Sequence, residues 1–390
     1  MLLLDLTHTS HTPANTGIQR QARGVFHALS RLTTTAPICL DPFANAWRPL
    51  DAVELRYALG NGTVGRSRGA QWTLSQKLRG WGGRLTGRTP ALPAASALVC
   101  PEIFSPTVAR NLVPLFNHCT GPRVAFYFDS IPLTHPEFTP AKTVARFPFY
   151  LQELLQFDGI AANSQTTAEI LLGYWGWLGV RDCPPVTVVP LGVDVPGAPP
   201  PPAPASALPQ ILCVSSIEGR KNHLALLGAA ETLWAAGLHF ELRLVGMPRP
   251  ETASAALAEI ARLRAAGRPL RFDGIVTDHA LEAAWAACSF SVYPSEIEGF
   301  GLPIIESLAR GKPCVCAASG ATGELVPGGG CLGVQPADAP AFAAALRSLL
   351  TDEPLRLRLS DEARRRPVPT WEGCARHLLD WMYQLPRRAA

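Results

Sequence analysis

Two glutamates stand on either side of a glycine-rich turn in the second half of the chain. Glu298 precedes the sequence Gly-Phe-Gly-Leu-Pro, and Glu306 follows Glu298 by eight positions. Glycines let backbone N–H groups approach a ligand closely, and a helix that begins at the proline favours an anion such as a diphosphate at its N-terminus. Reversal of the chain here can direct both carboxylates into one pocket, where they accept hydrogen bonds from sugar or ribose hydroxyls. The alternative is an ordinary strand–turn–helix with surface glutamates.

Two adjacent cations, Arg220 and Lys221, form a second candidate group. They follow the apolar run of residues 211–214, which predicts a strand. Two positive charges just beyond a strand end suit a diphosphate that leaves during group transfer. For this pair alone, a solvated basic turn is the simpler interpretation.

A third candidate, Gly17, lies at a predicted helix start near the N-terminus. Thr16 and Gln19 fit a capping box at this position. The residues that follow recur at helical spacing and predict a buried face made up of Ile18, Ala22, Val25, Phe26 and Leu29. Taken alone, the Thr-Gly pair predicts only the start of a helix.

Together these segments resemble the retaining GT-B glycosyltransferases of the E-x7-E type (glycosyl transferases group 1, family 4), in the branch of bacterial enzymes that extend surface polysaccharides. The resemblance covers most of the chain. It is carried by the E-x7-E segment with its intact Gly-Phe-Gly-Leu-Pro core, by the Arg-Lys-Asn-His loop and by the Thr-Gly-Ile-Gln-Arg opening. It implies the GT-B fold, an α/β architecture of two Rossmann-like domains that face each other across a cleft.

The resemblance also implies a role for each matching residue. Glu306 would bind the ribose hydroxyls and Glu298 the sugar ring, while Gly17, Arg220 and Lys221 would surround the diphosphate. The turn that holds the sugar and phosphate comprises Gly299, Phe300, Gly301, Leu302 and Pro303.

Asp129 matches a family loop in which a His-Asp pair precedes Ile-Pro. It would orient the acceptor, or else cap its own loop. The chain departs from the family in two places: Phe128 stands where many relatives have histidine, and Ser216 where many have arginine.

The implied activity is metal-independent transfer of a sugar, with retention of anomeric configuration. The donor would be a nucleotide-diphosphate sugar such as GDP-mannose, and the acceptor a hydroxyl of a glycan or lipid-linked glycan. No metal or cofactor is expected, since the sequence shows no DxD dyad and no His/Cys ligand cluster. The alternatives are a GT-B sugar-nucleotide epimerase, a phosphorylase, or a non-catalytic GT-B module of an assembly complex.

Short apolar runs alternate with helical patterns along the whole chain, which predicts βαβ units and parallel sheets. The predicted strands of the first half are residues 2–6, 96–100, 124–128, 159–162 and 186–189. Those of the second half are residues 210–214, 241–245, 270–272, 290–293 and 313–316. Each half is thus expected to form its own sheet.

A proline-rich segment separates the two halves. Seven of the fourteen residues 196–209 are proline, which predicts a semi-rigid linker. We therefore expect an N-terminal acceptor domain over residues 1–195 and a C-terminal donor-binding domain over residues 210–368. Residues 369–390 predict a terminal helix that packs back near the first domain.

The composition limits the class of protein and its surroundings. The net charge of +4 is too small to predict a nucleic-acid partner, and no GxGxxG follows the first strand, which counts against an NAD-dependent enzyme. Ten scattered cysteines without a CxxC pair predict reduced thiols in a cytoplasmic protein. No run approaches the ~18 apolar residues of a membrane span, so any membrane contact is expected to be peripheral.

The segment of residues 65–88 is both basic and amphipathic. It contains six cations and no acidic residue, and Leu74, Leu78, Trp81 and Leu85 fall on one helical face. A basic helix with such a face suits an anionic membrane surface. Alternatively, the apolar face packs on the first domain and the cations are solvated.

Overall fold

The structure, a computed structural model, describes residues 1–60, 69–194 and 208–388. It contains two compact units. The first unit comprises Met1–Ser130, Lys142–Gly192 and Pro369–Ala390, and the second comprises Ile131–Ala141 and Val193–Val368. Within the described ranges, no helix combines the length and the apolar character needed to cross a bilayer.

The described residues of the first part of the chain form seven strands and eight α-helices. The strands are β1 (Leu2–Asp5), β2 (Thr35–Asp41), β3 (Ala46–Pro49), β4 (Ala97–Cys100), β5 (Arg123–Tyr127), β6 (Gly159–Ala162) and β7 (Val186–Val188). The helices are α1 (Gly17–Leu32), α2 (Ala52–Ala58), α3 (Leu74–Thr86), α4 (Pro106–Ala109), α5 (Leu112–His118), α6 (Ile131–Thr134), α7 (Ala141–Leu154) and α8 (Gln165–Trp177).

The second part contains six strands and eight helices. The strands are β8 (Gln210–Val214), β9 (Glu241–Val245), β10 (Leu270–Gly274), β11 (Phe290–Tyr293), β12 (Cys314–Ala317) and β13 (Cys331–Val334). The helices are α9 (His223–Ala235), α10 (Pro250–Ala265), α11 (Asp278–Ala287), α12 (Leu302–Ala309), α13 (Gly320–Gly323), α14 (Ala339–Thr351), α15 (Glu353–Arg365) and α16 (Trp371–Met382).

Each unit is built on one sheet. The first sheet has the order β3-β2-β1-β4-β5-β6-β7, in which only the β2–β3 pair is antiparallel. The second sheet has the order β10-β9-β8-β11-β12-β13 and is parallel throughout. All ten predicted strands are present, and the prediction of two separate sheets is confirmed. The strands β2, β3 and β13 were not predicted.

Apolar side chains from the strands and the covering helices form the core of each unit. In the first unit the predicted stripe of α1 is buried at Ala22, Val25, Phe26 and Leu29, and Ile18 packs against the same cluster. The capping box of Thr16 and Gln19 is present at the start of the helix. The helix α1 therefore begins at the residue that its capping box predicts, and it buries the face that its apolar spacing predicts.

The C-terminal helix α16 belongs to the first unit. It buries Ala375, Leu378 and Met382 in the same core as α1. A Cβ atom at Gly24 of α1 would lie 2.3 Å from the indole of Trp371, so only glycine leaves room for that ring. The end of the chain thereby completes the core of the unit in which the chain began.

The division into units moves the predicted boundary from residue 195 to Gly192 and differs from the prediction in one further segment. Ile131–Ala141 lies within the range 1–195 assigned to the first domain but groups with the second unit. The physical reason is packing, because a Cβ atom at Gly219 of the second unit would meet the Phe138 ring at 2.8 Å. The predicted linker, residues 196–209, lies outside the described residues except for its last two.

Candidate active site

The carboxyl ends of β8 and β11 meet at one edge of the second sheet. The two strands are neighbours in parallel register, with Phe290 opposite Ile211 and Ser291 opposite Leu212. Beyond β8 the chain forms a short 3-10 helix, Gly219–Lys221, and beyond β11 a loop leads into α12. In open α/β sheets, ligands bind beyond the carboxyl ends of the strands. The predicted cations and the predicted glutamate turn therefore lie at the edge of the sheet where a ligand would bind.

Glu298 is held between the two predicted cations. One guanidinium nitrogen of Arg220 lies 2.8 Å from Oε2 of Glu298, and Nζ of Lys221 contacts Oε1. The Tyr293 hydroxyl donates to the same Oε1 at 2.8 Å and accepts from Nζ of Lys221 at 2.6 Å. Ser295 also donates to Oε1 of Glu298. The structure thus brings three of the predicted site residues into direct contact.

The neighbouring charges govern the protonation of this cluster. Burial raises the pKa of Glu298, but the positive charges of Arg220 and Lys221 outweigh it and bring the pKa down to about 2. Burial and the charge of Arg220 lower the pKa of Lys221, and Glu298 opposes them. Glu298 is therefore ionised at neutral pH, and it depends on its cations to be so.

Arg220 has a second carboxylate partner. Its other guanidinium nitrogen lies 2.7 Å from Glu218, which precedes the 3-10 helix. Two cations and two carboxylates cancel formally within the cluster. Any anion that is to gain the full charge of Arg220 or Lys221 would have to compete with these carboxylates.

The glycine turn leads into α12 as the sequence predicts. Gly301 is the residue before the helix and has φ 118°, a conformation that side-chain-bearing residues rarely adopt. Pro303 occupies the first turn, and Glu306 lies one turn further on and is buried. Gly299 and Phe300 are also buried in the turn that connects Glu298 to α12. The helix N-terminus adds the partial positive charge of the helix dipole to this edge of the sheet.

The remaining predicted residues, Gly17 and Asp129, lie in the first unit. Gly17 is the exposed first residue of α1, and a Cβ atom there would meet no heavy atom within 4 Å. Asp129 lies half-buried in the loop after β5. Its charge contributes to the raised pKa of the buried Tyr127, where burial is the larger cause.

The first unit has a pocket of its own at the carboxyl ends of β1, β2 and β4. Its volume is about 250 Å³. Asp5, His8 and Glu102 supply polar walls, and Trp72 and Phe104 supply aromatic ones. A pocket that is mostly apolar with a few convergent polar groups is typical of a small-molecule site.

The two carboxyl groups in this pocket have an increased proton affinity. Burial and the neighbouring Glu102 raise the pKa of Asp5 to about 7, although the amide and hydroxyl of Thr7 donate to it at 3.0 and 2.6 Å. Burial also raises the pKa of Glu102, whose oxygens accept the amides of His8 and Thr9 at 2.9 and 2.7 Å. The pocket therefore disfavours an added negative charge and suits a neutral, hydroxyl-bearing ligand.

A buried group of His11, Cys39 and Glu54 has ligand atoms close enough to hold a metal ion. Glu54, however, already receives both guanidinium nitrogens of Arg48, at 2.6 and 2.7 Å, as well as His11 at 2.9 Å. These contacts outweigh the effect of burial and lower the pKa of Glu54 well below its usual range. The side chains form a network of ion pairs and hydrogen bonds, which also includes Asp41, and it ties β3, α2 and the loop after β1 together.

Two kinds of functional contact were not predicted. Tyr293 and Ser295 were part of the glutamate segment, but nothing in their spacing indicated that both contact Glu298. Asp5 and Glu102 stand 97 positions apart. Only the neighbouring positions of β1 and β4 in the sheet bring them together. A polar residue at the end of an apolar strand was the one available signal for Asp5.

Known proteins resemble this chain in sequence and in fold. Residues 208–352 match the family described as Glycosyl transferases group 1. An MMP alpha-(1->4)-mannosyltransferase of Mycolicibacterium hassiacum is 41% identical over 105 residues, which cover 26% of this chain and 25% of that protein. A GDP-mannose-dependent alpha-(1-6)-phosphatidylinositol dimannoside mannosyltransferase of Mycobacterium tuberculosis is 33% identical over 119 residues, 30% of each chain. These alignments thus span less than a third of the length of the curated relatives.

The fold is similar over nearly the whole chain. The structure of Anabaena HepE in complex with UDP-glucose aligns with a TM-score of 0.69 and 16% identity, covering 98% of this chain and 99% of that one. The likeness confirms the predicted GT-B fold. The cluster around Glu298 lies within residues 208–352, the part of the chain that matches the glycosyl transferases group 1 family.

Proposed function

We propose that the chain is a glycosyltransferase that moves a sugar from a nucleotide-diphosphate sugar to a hydroxyl of a glycan or lipid-linked glycan. One observation carries the proposal. Glu298 is an ionised carboxylate held by Arg220 and Lys221, directly before the glycine turn that opens α12. Cations beside a helix N-terminus suit the diphosphate, and a carboxylate suits sugar hydroxyls.

Donor binding exchanges the partners within this cluster. The diphosphate takes Arg220 and Lys221, which hold Glu298 in the structure described here. Glu298, released from the cations, then accepts hydrogen bonds from the sugar ring. The backbone amides of residues 300–302 bind the sugar and phosphate, Glu306 binds the ribose hydroxyls, and Gly17 of the first unit approaches the diphosphate.

The transfer proceeds by a same-face displacement that retains the anomeric configuration. The bond between the anomeric carbon and the diphosphate oxygen breaks, and a bond from the acceptor oxygen to the same carbon forms. The acceptor proton passes to the departing diphosphate oxygen, which keeps the step balanced. Arg220 and Lys221 stabilise the negative charge that develops on the leaving group, so we propose that no metal ion is required.

The acceptor binds in the first unit. The pocket beside Asp5 and Glu102 offers hydrogen-bonding groups, and Trp72 offers an aromatic wall against which a sugar ring packs. Asp129 contributes to orienting the acceptor. The names of the relatives favour mannose as the sugar and GDP as the carrier, whereas the fold relative HepE is in complex with UDP-glucose. We propose GDP-mannose and synthesis of a polysaccharide or glycolipid.

The reaction takes place in the cytoplasm. All ten cysteines lie in the described ranges and none forms a disulfide bond. Nine of them are buried. Unpaired thiols in this number suit a reducing compartment.

The experiment is incubation of the chain with radiolabelled GDP-mannose and an octyl mannoside acceptor, in the presence of a chelator. We expect an α-linked product by NMR and GDP released in equal amount, with UDP-glucose as the matched donor control. Conversion of the donor without an acceptor would instead indicate an epimerase or a hydrolase. Failure of a panel of GDP- and UDP-sugars with the metal restored would contradict the proposal.

A further inference from the structure

The helix α3 exposes the residues that would ordinarily be buried. Leu74, Leu78, Trp81 and Leu85 are 69%, 56%, 47% and 88% exposed. They form the apolar face that the sequence predicts. The interpretation that this face packs on the first unit holds only in part, because Trp81 meets the ring of Phe43 edge-on, with 5.6 Å between the ring centroids, while the three leucines stay exposed.

The opposite side of α3 attaches the helix to the first unit. The side-chain amide of Gln76 donates from Nε2 to Oε1 of Glu54 at 3.0 Å, and both side chains are buried. A Cβ atom at Gly80 would lie 2.7 Å from Cβ of Phe43, so the glycine permits the close approach. Because two residues advance about 200° around a helix, Leu78 points away from both of these contacts. The helix is thus held by a polar and a small residue while its leucines face outward.

Cations border the exposed face. Lys77, Arg84 and Arg88 lie on or just beyond α3, and the stretch 65–88 contains no acidic residue. Arg79 differs from these three cations because it forms an ion pair with Asp51. An exposed apolar stripe with uncompensated positive charge on its borders is complementary to a surface that is apolar inside and anionic outside.

We propose that α3 docks the first unit onto an anionic lipid bilayer. Leu74, Leu78 and Leu85 enter the boundary between headgroups and acyl chains, and Trp81 lies at headgroup level, where an indole is favoured. Lys77, Arg84 and Arg88 contact the anionic headgroups. Gln76 and Gly80 hold the helix on the unit through Glu54 and Phe43, and docking leaves these contacts in place.

The position of α3 gives the docking a consequence for the acceptor. Trp72 lines the pocket of the first unit, and Thr73, the next residue, caps α3. The docking face therefore begins beside the pocket wall. If the proposed function holds, a lipid-linked acceptor can present its sugar to this pocket while its lipid stays in the membrane; the docking itself does not depend on that function.

The test is co-sedimentation of the full chain with vesicles of phosphatidylglycerol and phosphatidylcholine, compared with phosphatidylcholine alone. We expect binding to the anionic vesicles that falls at least tenfold in 0.5 M salt. Dissolved ions weaken the attraction between exposed charges beyond the Debye length, which is roughly 3–10 Å at such salt concentrations. The double variants Leu78→Glu/Leu85→Glu and Arg84→Glu/Arg88→Glu should each lose at least tenfold in partitioning. All four side chains are exposed, so the fold is expected to persist.

A matched control separates docking from a general charge effect. Leu357→Glu/Arg347→Glu changes an exposed leucine and an exposed arginine of the second unit and should bind vesicles like the wild type. Nucleotide binding by the α3 variants, measured by calorimetry, should also equal that of the wild type. Equal vesicle binding by wild type and α3 variants would overturn the proposal. So would a dimer in light scattering that dissociates in Leu78→Glu/Leu85→Glu, which would assign the face to a second copy of the chain.

Discussion

Glu298 in the second unit and Asp5 in the first are both carboxylates withdrawn from water near the carboxyl end of a parallel strand, but their pKa values move in opposite directions. Burial raises the pKa in both cases. Glu298 has Arg220 and Lys221 against it, and its pKa falls to about 2. Asp5 has Glu102 as its charged neighbour, and its pKa rises to about 7.

The difference shows that burial alone does not set the direction of the pKa shift, because the charged neighbours of each carboxylate add to its effect or oppose it. The cluster of the second unit holds cations that an anionic group can recruit. The pocket of the first unit holds carboxyl groups that repel an anion and hydrogen-bond to a neutral one. A transfer between a nucleotide-diphosphate sugar and a hydroxyl needs one site of each kind.

The largest effect on turnover is expected from removing a charge from the cluster around Glu298. Lys221→Ala and Glu298→Ala should each lower turnover by roughly 100- to 1000-fold, because each removes a buried group that acts on the developing charge or on the sugar. The measurement is transfer from GDP-mannose at saturating substrates. Arg347→Ala, which removes an exposed cation of the same unit, is the control and should keep its rate. A wild-type rate in a folded Lys221→Ala or Glu298→Ala variant would remove the site assignment.

A second prediction concerns the pH dependence of stability. Because the folded pKa of Asp5 lies above its unfolded value near 3.8, the folded state binds the proton more tightly. Asp5 thus stabilises the fold at low pH, and this contribution is lost as the pH rises from about 4 to about 7. Asp5→Asn keeps the acceptor for Thr7 and should raise the free energy of unfolding at pH 8 by up to about 4 kcal/mol. Urea denaturation between pH 5 and 8 measures the change.

Glu298→Gln provides the contrast for this experiment. The pKa of Glu298 is depressed, so its stabilising contribution is present above about pH 4.5 and is lost as the pH falls towards 2. The slope of stability between pH 5 and 8 should therefore match that of the wild type in Glu298→Gln and flatten in Asp5→Asn. Identical slopes in both variants would contradict the opposite settings of the two carboxylates.

Glu306 should affect the nucleoside rather than the phosphates. Its proposed partners are the ribose hydroxyls, so Glu306→Gln should weaken GDP binding by about tenfold, the value of one charge-assisted hydrogen bond. Binding of inorganic pyrophosphate should be unchanged. Equal losses for GDP and pyrophosphate in calorimetry would place Glu306 near the phosphates instead.

The smallest effect is expected at the pocket of the first unit. Trp72→Leu removes an aromatic wall worth about 1 kcal/mol to a stacked sugar and should raise the acceptor KM by about fivefold. Affinity for GDP should stay constant. Phe149→Leu, which alters an exposed aromatic residue of α7, is the control and should leave KM unchanged. An unaltered acceptor KM in Trp72→Leu would exclude the pocket as the acceptor site.

Much of the cluster around Glu298 was predictable, because its residues are close to one another in sequence or follow the ends of adjacent strands. Arg220 and Lys221 follow β8 directly, and Glu298 follows β11, so one strand pairing suffices to join them. The glycine turn and the proline after it also predicted the start of α12. Tyr293 escaped prediction because its strand periodicity makes it a core residue, and only the geometry shows its hydroxyl on Glu298.

The pocket of the first unit was not predictable in this way. Glu102 reaches the amides of His8 and Thr9 across more than 90 positions, and the pairing of β1 with β4 that allows this contact is a property of the topology. The strand β2 was missed because Pro37 interrupts its pattern. In the structure the Pro37 carbonyl accepts a hydrogen bond from Leu50. The exposure of α3 was equally hidden, since an amphipathic pattern does not say which face is attached.

The exchange of partners around Glu298 is tested most directly by calorimetric titration of GDP, and of UDP in parallel, into the wild type, Lys221→Ala and Glu298→Gln. We expect the wild type to bind one of the two nucleotides and Lys221→Ala to bind it at least ten times more weakly. Glu298→Gln should bind it more tightly than the wild type, because the carboxylate no longer competes for Arg220 and Lys221. Equal affinity in the wild type and Lys221→Ala, or weaker binding by Glu298→Gln, would contradict the exchange of partners on which the proposed transfer rests.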